Sequence, residues 1–242
     1  MPESENRSLD ILGIKPVGES LLHVTQASVD GASSFLAKIC LPAAEEFGLL
    51  LQDKVRAWRA NNAVHVVEAA QAKFGNPPVQ MHAHPRLVAS IIDHGSWTDD
   101  PDFQTIWGGL LASSCSLDGK DDSNLIFVNL LSNLTGIQIR VLAYACEQCN
   151  KKVSPFGLIG RASDLQIDEA TLYEITGSTD LHRIDRELDN LRGLELIHNG
   201  IDMRSKSIEI SPTSLALNLY VRCQGFVGSP VTYFGIRPTE PQ

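Results

Sequence analysis

The sequence predicts a mainly α protein: a helical N-terminal body with a long central helix, then a winged-helix-like α+β C-terminal module. Three observations carry this. Leu41 to Phe74 contains no glycine after Gly48 and no proline after Pro42, and its apolar residues recur at helical spacing. The next hundred residues alternate apolar runs with capping turns. Beyond Asn150 the pattern becomes helix, helix, strand, turn, strand, helix.

Residues 1–30 form a poorly patterned arm, part of which is expected to be disordered. A helical domain is expected over 31–134. In its long helix the dry line reads Ala44, Gly48, Leu51, Val55, Trp58, Asn62, Val66 and Ala69, with an alternative joint near Asn61-Asn62. Asp53, Arg56 and Arg59 make the wet side. Gly75, Asn76, Pro77 and Pro78 stop it. The segment VQMHAHP is extended, because a residue before proline avoids the helical region. RLVASIIDHG is a short helix ending at Gly95. Asp99 or Asp100 caps the next helix, with Pro101 in its first turn. Phe103, Ile106, Trp107, Leu110 and Leu111 share its broad face. Gly108-Gly109 lowers helix propensity there, which implies close approach to a neighbour. LDGKDDSN is a loop, and Leu125–Leu134 is a further helix.

The winged-helix-like domain is expected over 135–225. Thr135 opens its first helix, and KKVSPFGLIGRASD is read as a loop. LQIDEATLYEITG is a helix ending at Gly177. Ser178 or Thr179 caps the helix that carries Leu181, Ile184, Leu188 and Leu191. LELIH reads as a strand, Asn199-Gly200 as the turn, KSIEIS as the second strand and PTSLALNLYVRC as the closing helix. Residues 226–242 are a tail or an edge strand, with strand-like residues at Val231 to Phe234.

Three local patterns resemble the Abi-alpha family: PAAEEFGLLLQDKVRAWRANNAVHVVEAA, then RLVASIIDHGSWTDDPDFQTIWGGLLASS, then LSNLTGIQIRVLAYA with the late LDNLRGLELI and ISPTSLALNLYVRC. Glycines 108 and 109 stand where the family usually has alanine. The resemblance covers about residues 35–225. It implies a role in abortive infection, a bacterial response to phage. It brings a biological context and no reaction.

Composition narrows the chemistry. Formal net charge is -9, from 29 acids and 20 bases, which disfavours a dominant nucleic-acid or anionic-membrane surface. No apolar run is long enough for a membrane span. Five cysteines, an odd number, with no hydrophobic leader pattern, imply reduced thiols and a cytoplasmic protein. Cys146-x-x-Cys149 has the spacing of half a zinc site, which His182, His198 or Cys223 would have to complete; structural thiols are the expected reading. His82, His84 and His94 are read as connector histidines. The acids at 99–102 and 118–122 are read as caps and solvated loop. Neither a phosphate-binding glycine loop nor a G-x-S-x-G elbow occurs. No catalytic residue, metal site or cofactor is therefore expected.

The expected function is a non-enzymatic component of anti-phage defence acting through protein–protein interaction, with a protein partner or self-association. Trp97, Asp99 and Asp100 are the candidate interface. The alternative is a nucleic-acid-binding regulator using the winged helix. Its candidate residues are Lys151, Lys152, Arg161, Arg183, Arg186, Arg192, Arg204 and Lys206. The presumptive recognition helix mixes its three arginines with Asp180, Asp185, Glu187 and Asp189, a poor surface for phosphate attraction.

Overall fold

The computed structural model describes residues 26–43, 54–74, 81–202 and 207–236. The N-terminal arm before residue 26, the Ala44–Gly48–Leu51 portion of the long stripe, the Gly75–Pro78 stop, Arg204, Lys206 and the Pro-rich finish lie outside the described residues.

Helix α1 (Gln26–Ile39) buries Ala32, Phe35, Leu36 and Ile39. Helix α2 (Lys54–Phe74) runs unbroken through Asn61-Asn62, so the alternative of a joint there is set aside. Its dry arc is Ala60, Ala63, Val64, Val66, Val67 and Ala70. The expected stripe was rotated: Val55 is 58% exposed and Trp58 only half-buried. The reason is what faces the helix. Small residues on α2 admit a helix backbone, and that backbone sets the centre of the buried arc.

The facing backbone belongs to α4 (Pro101–Ser113), which shares with α2 the most extensive contact between any two described elements. A Cβ on Gly108 would come 2.5 Å from Ala69 Cβ and 2.7 Å from the Val66 carbonyl oxygen. Gly108 is thus the contact point, against Val66 and Ala69 of α2. One residue earlier, Trp107 is fully enclosed, stacked at 5.9 Å on His94 and 6.3 Å on Phe103. Helix α3 (Pro85–Gly95) closes over this pair with Leu87, Val88, Ile91 and Ile92. The His84 side chain caps it by accepting from the Arg86 amide. Strands β1 (His82–Ala83) and β2 (Cys115–Ser116) form a two-residue ladder, and α5 (Leu125–Leu131) buries Val128 and Leu131. Asn124, just before α5, donates to the Ser113 and Ser114 hydroxyls at 3.2 and 2.9 Å.

Helix α6 (Gly136–Gln148) begins with a reciprocal capping box. The Thr135 hydroxyl accepts from the Gln138 amide, and the Gln138 side-chain oxygen accepts from the Thr135 amide. The segment after α6, read from sequence as a loop, is instead a hairpin of β3 (Lys151–Val153) and β4 (Ile159–Arg161). Strand β5 (Gln166–Ile167) follows, then α7 (Glu169–Thr176) and α8 (Leu181–Gly193). Asp180, rather than Ser178 or Thr179, caps α8 by accepting from the Arg183 amide. Its carboxylate reaches the amide from the position adjoining the helix, whereas Ser178 Oγ accepts from the Asp180 amide.

The wing is also one register later than LELIH suggests. Glu195 has φ 58°, and the Leu196 amide closes back onto the Leu191 carbonyl, so the chain turns where a strand was expected. Only Ile197 makes a bridge, to Pro212. Strand β6 (Ile201–Asp202) follows Asn199-Gly200, and β7 (Ser207–Glu209) pairs with both neighbours in the order β5-β7-β6. A strand between the first two helices of the module and a wing after its third is winged-helix-like order. Helix α9 (Ser214–Cys223), capped by Thr213, closes the module. Where Val231–Phe234 read as strand-like, α10 (Pro230–Tyr233) makes one helical turn, because Ser229 caps it and Pro230 fits its first position.

Buried apolar side chains from α1 to α9 form one connected core. Gly109 is the seam between α4 and α9: a Cβ there would lie 1.7 Å from the Cys223 carbonyl oxygen.

Candidate functional site

The turn between α3 and α4 is the most constructed surface feature. Arg59, on the wet side of α2, reaches it. Its Nε donates to Ser96 Oγ at 2.9 Å, and its Nη2 donates to Asp93 Oδ1 at 2.6 Å. Its guanidinium then lies over the Trp97 ring, 4.2 Å from the centroid. Trp58 meets the same ring at 6.4 Å and a 58° tilt. Beneath them, buried Asn62 donates to the Ser96 carbonyl at 3.0 Å, and buried Gln104 donates to the Thr98 carbonyl at 2.9 Å. The turn is thereby tied to both α2 and α4. Trp97 is held from below and remains 56% exposed.

The other two candidate interface residues part company. Asp100 is the N-cap of α4, accepting from the Asp102 and Phe103 amides at 2.9 and 3.2 Å, so its carboxylate has a structural task. Asp99 is exposed beside Trp97 and has no such task. Sequence reasoning missed Arg59 and Trp58 as members of this surface, having placed Trp58 in the core; their partner Trp97 is nearly forty residues away in the chain, so no local pattern announces the stack.

Several of the basic candidates already have partners within the chain. Lys151 donates to the carbonyls of Cys149 and Glu147 at 2.9 and 3.3 Å and sits over the Phe234 ring. Arg161 pairs with Asp164 and, at 2.8 Å, with Glu209. Arg192 pairs with Asp189 at 2.7 Å. Lys152 is exposed on the hairpin. Arg183 and Arg186 are exposed on α8 and make no ion pair among the described residues. They share that helix with exposed Asp185 and Asp189.

The thiols lie in the core, with Cys149 and Cys223 near enough to act on Cys146. All five are buried and none is in a disulfide. Burial pushes the Cys115 and Cys223 thiols up to about 12 and drives Cys146 well above its usual range. Cys149 is also raised by burial, with Lys151 opposing. These are poor nucleophiles and poor ligands while protonated. Among the described residues no three His, Cys, Asp or Glu side chains converge on a point that could hold a metal ion. His82, His84 and His94 diverge into a ladder, a cap and a ring stack.

The family model described as abortive infection alpha matches residues 59–216, most of the 242-residue chain. This chain belongs to that family. The match starts at Arg59, so it takes in the Trp97 turn, the seam at Gly109 and the winged-helix-like helices. The family is a domain associated with non-enzymatic components of anti-phage defence. No curated protein and no solved structure matches the chain. None of the helices among the described residues is long and apolar enough to cross a membrane.

Proposed function

We propose that this abortive infection alpha protein works by binding a protein, either a host or phage partner or a second copy of itself, through the surface around Trp97. The single observation behind the reading is that Trp97 is exposed and yet immobilised by Arg59 and Trp58. An aromatic that is already ordered loses little conformational freedom on docking, and tryptophan and arginine are both enriched among interface hot spots. Val55, exposed one turn before Trp58, extends the apolar area, and Asp99 supplies an acidic edge. A cytoplasmic setting is part of the same reading and agrees with five unpaired thiols.

The experiment is affinity capture with tagged full-length protein from phage-infected cells, wild type against Trp97→Ala, with plaque protection scored in parallel. Trp97→Ala should lose both the captured partner and protection while its melting temperature falls by no more than about 4 °C, the cost of the lost Arg59 stack. Undiminished capture by Trp97→Ala overturns the assignment of this surface.

The nucleic-acid alternative keeps one supporting feature, the exposed Arg183 and Arg186 on α8. A gel shift at low salt tests it. Binding that survives Arg183→Glu with Arg186→Glu rejects α8 as the contact.

A further inference from the structure

The β3–β4 hairpin and the chain after α9 enclose a second surface, separate from the Trp97 turn and independent of it. One wall is Gly157, Leu158 and Ile159. The other is Val227 to Val231, and the floor is Asn218 and Arg222 of α9. The cleft holds about 330 Å³, the lower end of what binds a small ligand or a few residues of peptide. Its rim is apolar and exposed: Leu158 is 68% and Val227 51% accessible, and Phe156 at the hairpin tip stands 91% in solvent.

Arg222 is the informative residue. It is half-buried, and burial lowers its pKa, with Asp121 opposing. A cation taken out of water normally sits against an anion. Here Asp121 acts only at a distance. It makes no ion pair with Arg222, and its Oδ1 accepts from the Ser123 amide. The guanidinium donates through Nη1 alone, to the carbonyls of Val227 at 2.6 Å and Phe226 at 3.4 Å. Nε and Nη2 make no hydrogen bond among the described residues, leaving three of the five N–H groups of the fork. Asn218 donates to the Ser214 carbonyl at 2.7 Å, and its side-chain oxygen is likewise unengaged there.

We infer that this cleft binds a peptide that presents a carboxylate next to a bulky apolar side chain. The carboxylate would take the open edge of Arg222 as a two-bonded pair, the geometry for which arginine is suited. The apolar side chain would lie on Leu158 and Val227, and Asn218 would accept a backbone N–H. The carboxylate is the peptide's free C-terminus: Asn218 and Arg222 are one turn apart on α9, and a C-terminal residue carries its carboxylate, its N–H and its side chain on one Cα.

The test is fluorescence anisotropy on the full-length protein with three labelled hexapeptides of otherwise equal sequence. One ends in phenylalanine with a free carboxylate, one ends in phenylalanine amide, and one ends in Asp-Phe-amide. The free-carboxylate probe should bind at least about tenfold more tightly than either amide, the size of one charge-assisted pair. Preference for the Asp-Phe-amide probe overturns the assignment to a C-terminus. Arg222→Gln should erase that preference. Because this variant also loosens the Val227 contact, Leu158→Ser, on an exposed hairpin position, provides the second check: it should weaken the same probe about fivefold with the melting temperature unchanged. Equal binding of all three probes, or no binding of any at millimolar protein, overturns the inference.

Discussion

The Arg59 guanidinium lies 4.2 Å above the Trp97 ring while the same side chain is bonded to Ser96 and Asp93. One residue of α2 therefore determines how the α3–α4 turn presents its aromatic. Arg59→Ala should free the ring, shift its fluorescence to the red, and cost about 1–2 kcal/mol, the sum of a cation–π contact and an ion pair to the exposed Asp93. Arg59→Lys keeps the charge but not the fork, and should recover only part of the stability. Urea melts followed by tryptophan emission measure both effects. Unchanged emission in Arg59→Ala would show that the stack does not hold Trp97.

Gly109 tolerates no side chain. A methyl group at that position would overlap the Cys223 carbonyl, and backbone cannot step aside as a flexible side chain would. Gly109→Ala should lose at least about 3 kcal/mol, the upper end of overpacking costs. The yield of soluble protein and its unfolding midpoint report this. Gly31→Ala, where the same group meets open space, is the matched control.

The Thr135 hydroxyl has two roles: it caps α6 and donates to Glu187 Oε2 of α8 at 2.8 Å. Gln138 adds a bond to the Glu187 carbonyl at 3.3 Å. Thr135→Val removes both the cap and the donor to a buried carboxylate, and should cost about 2–3 kcal/mol. Thr135→Ser should restore most of it. Equal denaturation midpoints for the two variants would show that neither bond contributes.

The buried thiols predict a loss of stability in alkali. Their folded pKa values are raised, to about 12 for Cys115 and Cys223, above the ordinary value of 9.0. Below 9 both folded and unfolded chains hold the protons, so the contribution is fully present. As pH rises from 9 towards 12 only the unfolded chain ionises, and stability falls. Denaturant midpoints measured at pH 8, 9 and 10 should decline above 9, and iodoacetamide should label native protein far more slowly than unfolded protein. Fast labelling of all thiols in the native state contradicts the burial.

The helices were legible because their ends are chemically marked. Pro101 with Asp100, Thr135 with Gln138, and Gly177 each announce a boundary in a few residues. The hairpin at 151–161 was not, since two three-residue strands show too little alternation to stand out from a glycine-rich loop. The wing was misplaced because a left-handed Glu195 cannot be read from LELIH. For the candidate site, the position of Trp97 before a cap suits a staple of the turn as well as an exposed interface residue, and its exposure is set by the fold. The partners of Lys151, Arg161 and Arg192 come from chain neighbours and from Glu209, forty-eight residues beyond Arg161. Counting charges along a sequence overstates such a surface, because it does not register which of them are already neutralised.

Strand β5, at one edge of the β5-β7-β6 sheet, is two residues long, and so are β1 and β2. Such short strands expose too few consecutive amides and carbonyls to template an incoming strand. Recognition by main-chain zippering is closed at these edges. A partner that meets them must be read through side chains, so specificity there can be altered one residue at a time without disturbing the backbone.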